Sequence, residues 1–207
     1  MDIKPLDLNS IIFLYAVLSH GSLATIYTNY IKKTNTKRVI YFLAHVFISI
    51  AMLLRIFPKY RGSITGTVLG ITGHSCLLLF FVITTFITTG KYVIAFNTNS
   101  DYNWLNTLCI IGQVGMISIY TIEYLKENEK ELYNKYKDYY KYIYIITFAL
   151  LAYFYIRIAF KKQNNLFIPL VMITILYCIL LYKPIHNNIF DIETDIEKEL
   201  KFLEYEL

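Results

Sequence analysis

Six long apolar stretches, at about residues 10–30, 38–57, 65–90, 104–122, 142–160 and 166–183, fill most of this 207-residue chain. A helix rises 1.5 Å per residue, so about 20 apolar residues cross the roughly 30 Å hydrocarbon layer of a bilayer. Lipid offers the backbone no hydrogen bonds, which leaves helices or closed barrels as spanning structures. The stretches lack the alternation of barrel strands. The expected fold is therefore all-α: a polytopic integral membrane protein with about six transmembrane helices. A surface amphipathic helix follows the fourth span. Residues 1–186 form one bundle, and 187–207 form an acidic amphipathic tail helix.

Composition agrees. Hydrophobic residues make up 56% of the chain and charged residues 17%, against about 25% charged in soluble domains; mean hydropathy is +0.44. No Asp or Glu falls in the central turns of a span, and Glu123 and Arg157 sit near span ends, within reach of headgroups. The amino terminus lacks the basic n-region and small-residue cleavage site of a signal peptide, so the first span is expected to be retained. Cys76, Cys109 and Cys178 all lie within spans, as small buried residues rather than disulfide partners.

Along the chain, the basic turn Lys32-Lys33-Thr34-Asn35-Thr36-Lys37-Arg38 closes the first span and Pro58 stops the second. The third span is read as one tilted helix, with breaks near Thr84-Thr85 or Thr88-Thr89-Gly90 as the alternative. Residues 91–103 read as an irregular loop before Trp104, a residue suited to an interfacial aromatic belt. Residues 123–141 carry Leu125, Leu132, Tyr136 and Tyr139 at helical spacing, with Glu131 and Lys135 as an i,i+4 pair. Lysines interleaved with tyrosines there could suggest nucleic acid, but five acids balance five lysines, so no nucleic-acid partner is expected. Pro169 suits the first turn of the sixth span, and Pro184 is expected to close it. Thr194 and Glu197 then form a capping box, opening a helix with Ile196, Leu200, Leu203 and Leu207 on one stripe. The tail from 187 has a net charge of −5, which anionic lipid repels, so its stripe is expected to pack on the protein's own loops or on a partner.

Orientation follows from basic residues. The side with the termini carries 12 Lys/Arg and the other side 8, which places both termini in the cytoplasm under the positive-inside rule. The compact odd loops, with eight bases and one acid, Asp101, pull the other way. Both termini cytoplasmic is the reading taken; the membrane itself is left open.

His20, His45 and His74, one on each of the first three spans, lie near the membrane midplane. Ionisable groups at that depth are costly and are functional candidates. An imidazole pair can ligate haem, three can bind a transition metal, and neutral histidine can relay protons. The competing role is packing, with Ser19, Ser49 or Ser75 as hydrogen-bond partners. Gln113 is expected to bond across helices. Gly66, Gly70 and Gly73 would let a neighbouring backbone approach, and Gly112 and Gly115 repeat the theme in the fourth span.

No potassium-channel filter, HExxH, Walker loop, retinal lysine or serial-arginine sensor occurs. No catalytic residues are assigned and an enzyme is not the leading expectation. That expectation is a transporter or channel-like protein for a solute, ion or proton, lined by His20, His45, His74, Ser75 and Gln113, with no cofactor. An alternative is a membrane subunit or scaffold, self-associating or docking a protein through the third span or the C-terminal helix. A second alternative is a haem- or metal-binding redox protein using His20, His45 and His74.

Overall fold

The computed structural model describes residues 7–28, 35–89, 93–96, 103–161 and 166–205, with backbone alone at 27, 35, 87–89, 93–96, 161 and 187–205. Six helices in it are long and apolar enough to cross a membrane. They are α1 (Leu8–Ser22), α2 (Asn35–Ile56), α3 (Ile64–Thr85), α4 (Asn103–Asn128), α5 (Lys130–Lys161) and α6 (Phe167–Tyr205). One π-helical turn, Leu23–Tyr27, continues α1 directly.

Local chemistry sets the helix starts. Asp7 caps α1 by accepting from the Ser10 backbone N–H at 2.6 Å. Ser63 caps α3 by accepting from Gly66 N–H at 3.2 Å. Each satisfies a donor that the first helical turn leaves unpaired. Between α2 and α3 the chain turns through a short 3₁₀ segment, Pro58–Tyr60, and Gly62 at φ +70°. Only glycine fits there easily: the backbone is left-handed, and a Cβ would overlap the Glu127 side chain. Asn128 fastens the same turn to α4, donating to the Gly62 carbonyl at 3.2 Å.

Each helix packs on the next in sequence, and α6 returns to α1, so the six form a closed ring. Lys183, midway along α6, donates to Asn9 in the first turn of α1. The interior is filled by side chains from every helix, including Leu23, Ile48, Leu77, Leu105, Leu151, Ile173 and Tyr177. The outward faces carry Leu18, Val39, Leu53, Val68, Ile111, Ile146 and Ile175, all exposed. An apolar exterior around a filled interior is the surface that hydrocarbon, not water, would solvate.

Three expectations need correction. The third span is not one helix to residue 90: α3 ends at Thr85, and a two-stranded antiparallel hairpin follows, β1 (Phe86–Thr89) with β2 (Val93–Phe96). Phe86 pairs with Phe96 and Thr89 with Val93. β-Branched and aromatic residues favour pleated structure, and to a hydropathy reading they are indistinguishable from more helix. The hairpin is the departure from an all-α fold among the described residues, and it occupies part of the expected irregular loop.

Residues 123–141 do not form a separate surface helix. They are the end of α4 and the start of α5, joined at Glu129. Its N–H bonds the Leu125 carbonyl and its carbonyl accepts from Tyr133, so one residue ends one helix and begins the next. Finally, Pro184 does not close the sixth helix. It lies inside α6, which runs on to Tyr205 without a break at Thr194. Proline removes one N–H and crowds the preceding turn, which kinks a helix more often than it ends one inside lipid. The tail's side chains, the basic turn at 29–34 and residues 97–102 lie outside the described residues.

Candidate functional site

α1, α2 and α3 bring the three histidines inward, each essentially inaccessible: His20 1% exposed, His45 0% and His74 0%. They do not converge on one point. His20 and His45 face each other with their Nδ1 atoms 3.0 Å apart. This is a hydrogen bond in which one ring donates and the other accepts, the arrangement two neutral imidazoles require. His20 stands three residues before the start of the π turn, whose first N–H, that of Leu23, bonds the His20 and Ser19 carbonyls. Tyr41 packs edge-on against His45 at 4.4 Å between centroids.

His74 takes a different partner. Its Nδ1 lies 2.8 Å from Gln113 Oε1, so the imidazole donates and the amide accepts. The amide nitrogen in turn donates to Cys109 Sγ at 3.5 Å. Gln113 thus bonds across helices as its sequence position implied. Gly73 brings α3, and with it His74, close to α2. A Cβ at Gly73 would stand 2.9 Å from the Ala44 carbonyl and 3.0 Å from the Ile48 nitrogen. Glycine therefore lets α3 press its backbone against α2 beside His45.

The expected serine partners are not used. Ser19 donates to the Tyr15 carbonyl of its own helix, and Ser49 Oγ has no partner among the described residues. Ser75 is exposed on the outer face, so it cannot line an interior path. The next residue on a helix turns 100° away, and His74 takes the inward position. The glycine stripe also divides. Gly73 meets a backbone, Gly70 makes room for the Tyr120 ring, and Gly66 has only its own cap, Ser63, within 3.4 Å of a Cβ. In α4, Gly112 accommodates Leu151 and Gly115 accommodates Thr147, both from α5. The inward glycines of α3 are used inside the bundle, which removes them as an outward docking stripe.

One element of the site was missed in the sequence. Arg55, in the last turn of α2 and 3% exposed, pairs with Glu123 of α4 through Nη1 and Oε2 at 2.5 Å. Its guanidinium lies 4.1 Å above the Tyr120 ring, a cation–π contact. Tyr120 in turn reaches His74, with 5.4 Å between ring centroids. The available signal was Arg55 alone inside an apolar run: a buried cation at a span end needs a partner, and Tyr120-x-x-Glu123 supplies two on one helix face.

Together these contacts make a polar file through the apolar ring. Contacts connect Glu123, Arg55, Tyr120, His74 and Gln113, and the His45–His20 pair follows on α2 and α1, where Gly73 brings the α3 backbone against α2. Buried polar atoms with no hydrogen-bond partner among the described residues include His45 Nε2, Arg55 Nη2, His74 Nε2 and Tyr120 OH in this group, and Ser49 Oγ, Thr67 Oγ1 and Thr85 Oγ1 elsewhere in α2 and α3. An unpaired buried polar group costs about 1–3 kcal/mol. Four of these atoms belong to Arg55, Tyr120, His74 and His45. Among the described residues no three His, Cys, Asp or Glu side chains are grouped to hold a metal ion.

Comparison of the chain with protein-family models, with curated proteins and with solved structures finds no match. The structure defines a class: a helical ring with six helices able to cross a membrane and a polar interior file.

Proposed function

We propose that the protein is an integral membrane protein that moves protons, or a small solute exchanged with them, through the interior of its helical ring. The observation carrying this reading is the file from Glu123 to the His20–His45 pair. From Glu123 to Gln113 is ten residues of α4, about 15 Å of rise, half of the hydrocarbon layer. Neutral imidazoles accept a proton at one nitrogen and release one from the other. The unpartnered Nε2 atoms of His45 and His74 are the ends through which such exchange would enter each ring.

Beyond His20 the file gives way to packed side chains of Leu23, Leu77, Phe80, Phe81 and Leu105. A filled half opposite a polar half supports gated passage rather than a standing aqueous pore. The exit would open by rearrangement next to the π turn after His20, a helix irregularity often found at functional positions. Both termini are taken as cytoplasmic, which sets Glu123 on the cytoplasmic side.

Reconstitution tests the reading. Liposomes holding the protein, an internal pH dye and a potassium diffusion potential should acidify or alkalinise faster than protein-free liposomes. Rates equal to protein-free controls at either sign of potential, and with a broad panel of solutes, would defeat it.

A second reading, a membrane subunit that docks a partner, is favoured by the continuous α6. Its 39 residues rise about 58 Å, well beyond one bilayer crossing, and form an arm. Deleting 188–207 should then abolish partner co-purification while the ring stays folded.

A further inference from the structure

At the Glu123 end of the file, α1, α2, α4, α5 and α6 enclose a cavity of about 40 Å³. Since one water needs roughly 10–15 Å³ of such space, it has room for about three waters or an ion of a few atoms. Phe13, Met52, Met116, Phe148 and Leu176 give it apolar walls, and Arg55, Tyr120 and Glu123 supply its polar groups. Arg55 Nη2 and the Tyr120 hydroxyl, two donors on residues bordering this space, have no acceptor among the described residues. Gly70 is what lets the Tyr120 ring stand here, since a Cβ on α3 would overlap it.

An unused guanidinium N–H group and an unused hydroxyl select an occupant that accepts hydrogen bonds and carries negative charge. Size limits it to a few atoms. We infer that this cavity binds a small monovalent anion, of the size of chloride or formate, together with one proton taken up by Glu123.

Charge balance requires the proton. Arg55 and Glu123 cancel, so an anion alone would leave a net negative charge in an apolar enclosure, which is strongly disfavoured. Protonation of Glu123 restores neutrality and releases Arg55 Nη1 to join Nη2 on the anion. The other ionisable groups acting on the pair are Tyr144 on α5, Lys183 on α6 and His74 on α3, and Lys126 on α4 acts in turn on Lys183. The Asp7–Arg61 pair, at the N-terminal end and the α2–α3 turn, acts on Lys183. Arg61 is neutralised by Asp7, and Lys183 keeps its charge but hydrogen-bonds Asn9 and is not among the residues lining the cavity, so within these walls the balancing charge is the proton on Glu123. Glu123, with its side chain 32% exposed, is the member of the pair that a proton from water can reach.

The test measures binding, without flux, on the full chain in detergent or nanodiscs. Chloride NMR line-broadening is recorded in gluconate buffer, with formate as competitor. Wild-type affinity should rise about tenfold for each unit fall in pH while Glu123 is ionised in the free protein, because one proton accompanies each anion. Glu123→Gln mimics the protonated form, and should bind as tightly as wild type at low pH, with no pH dependence. Tyr120→Phe should bind several-fold more weakly, and Arg55→Gln should not bind. Absence of saturable broadening in both wild type and Glu123→Gln overturns the inference, as does a wild-type pH slope persisting in Glu123→Gln. Anion binding without proton flux would defeat the transport reading alone, and flux without anion binding would defeat this inference alone.

Discussion

Replacing Glu123 by alanine strands Arg55, a cation whose side chain is 4% exposed, while Glu123 itself is 32% exposed. Breaking a fully buried pair by removing one partner costs about 3–5 kcal/mol, mostly the penalty of the charge left behind. Here the partner is a third exposed, so solvent already screens part of the attraction. The Tyr120 face, 4.1 Å from the guanidinium, continues to hold the cation, an interaction worth roughly 0.5–2 kcal/mol. Glu123→Ala should therefore destabilise by about 2–3 kcal/mol. Arg55→Met removes the charge but keeps the volume, and leaves a carboxylate that can turn to water. Its cost should be about 1 kcal/mol or less, and the double variant should resemble Arg55→Met alone. Equilibrium unfolding by SDS titration in mixed micelles gives all three differences, and the cycle isolates the pair. A Glu123→Ala cost no greater than that of Arg55→Met would refute the reasoning, because it would mean that Arg55 reaches water or headgroups unaided.

Gly73→Ala should destabilise by about 1–3 kcal/mol, since the new Cβ presses on α2 backbone that cannot turn aside. Gly66→Ala, facing only its own cap, should be neutral or up to roughly 0.5–1 kcal/mol stabilising in the same titration; equal effects would contradict the α2–α3 contact. The Asp7 carboxyl is held well below the usual carboxylate range, first by Arg61 hydrogen bonding at 2.8 and 2.9 Å and then by the Ser10 backbone N–H. A depressed carboxylate stabilises the fold fully above its unfolded value near 3.9, and that stability drains away as pH falls through the lower folded value. Asp7→Asn should flatten the acid limb of a stability-versus-pH curve, and an unchanged limb would show that the pair does not form.

The ring of helices was legible because hydropathy over about 20 residues answers a coarse question, whether a segment prefers lipid. Where that question was too coarse, boundaries failed. Phe86–Thr89 is as apolar as a span end, so the first strand was absorbed into the third helix, while Val93–Phe96 was read as part of the irregular loop. Pro184 was read by the rule for soluble helices, although a membrane helix can carry proline within it. The histidines were legible as costly residues at depth, yet sequence spacing could not say which meet. The His20–His45 bond joins residues 25 apart and His74–Gln113 residues 39 apart. Ser75 failed for a local reason, since only one of two adjacent helical residues can face inward. Arg55 escaped notice because a charge at a span end is ordinarily assigned to the headgroups, and its partner lies on a helix two spans later.

Proton flux in liposomes, driven by a potassium diffusion potential and read with an internal pH dye, tests the central claim most directly. Wild-type protein should conduct above protein-free liposomes. His74→Ala, which interrupts the file between Tyr120 and the His20–His45 pair, should lower the rate at least tenfold at equal protein content and unchanged helicity. Equal rates in wild type and His74→Ala would contradict a path through these residues.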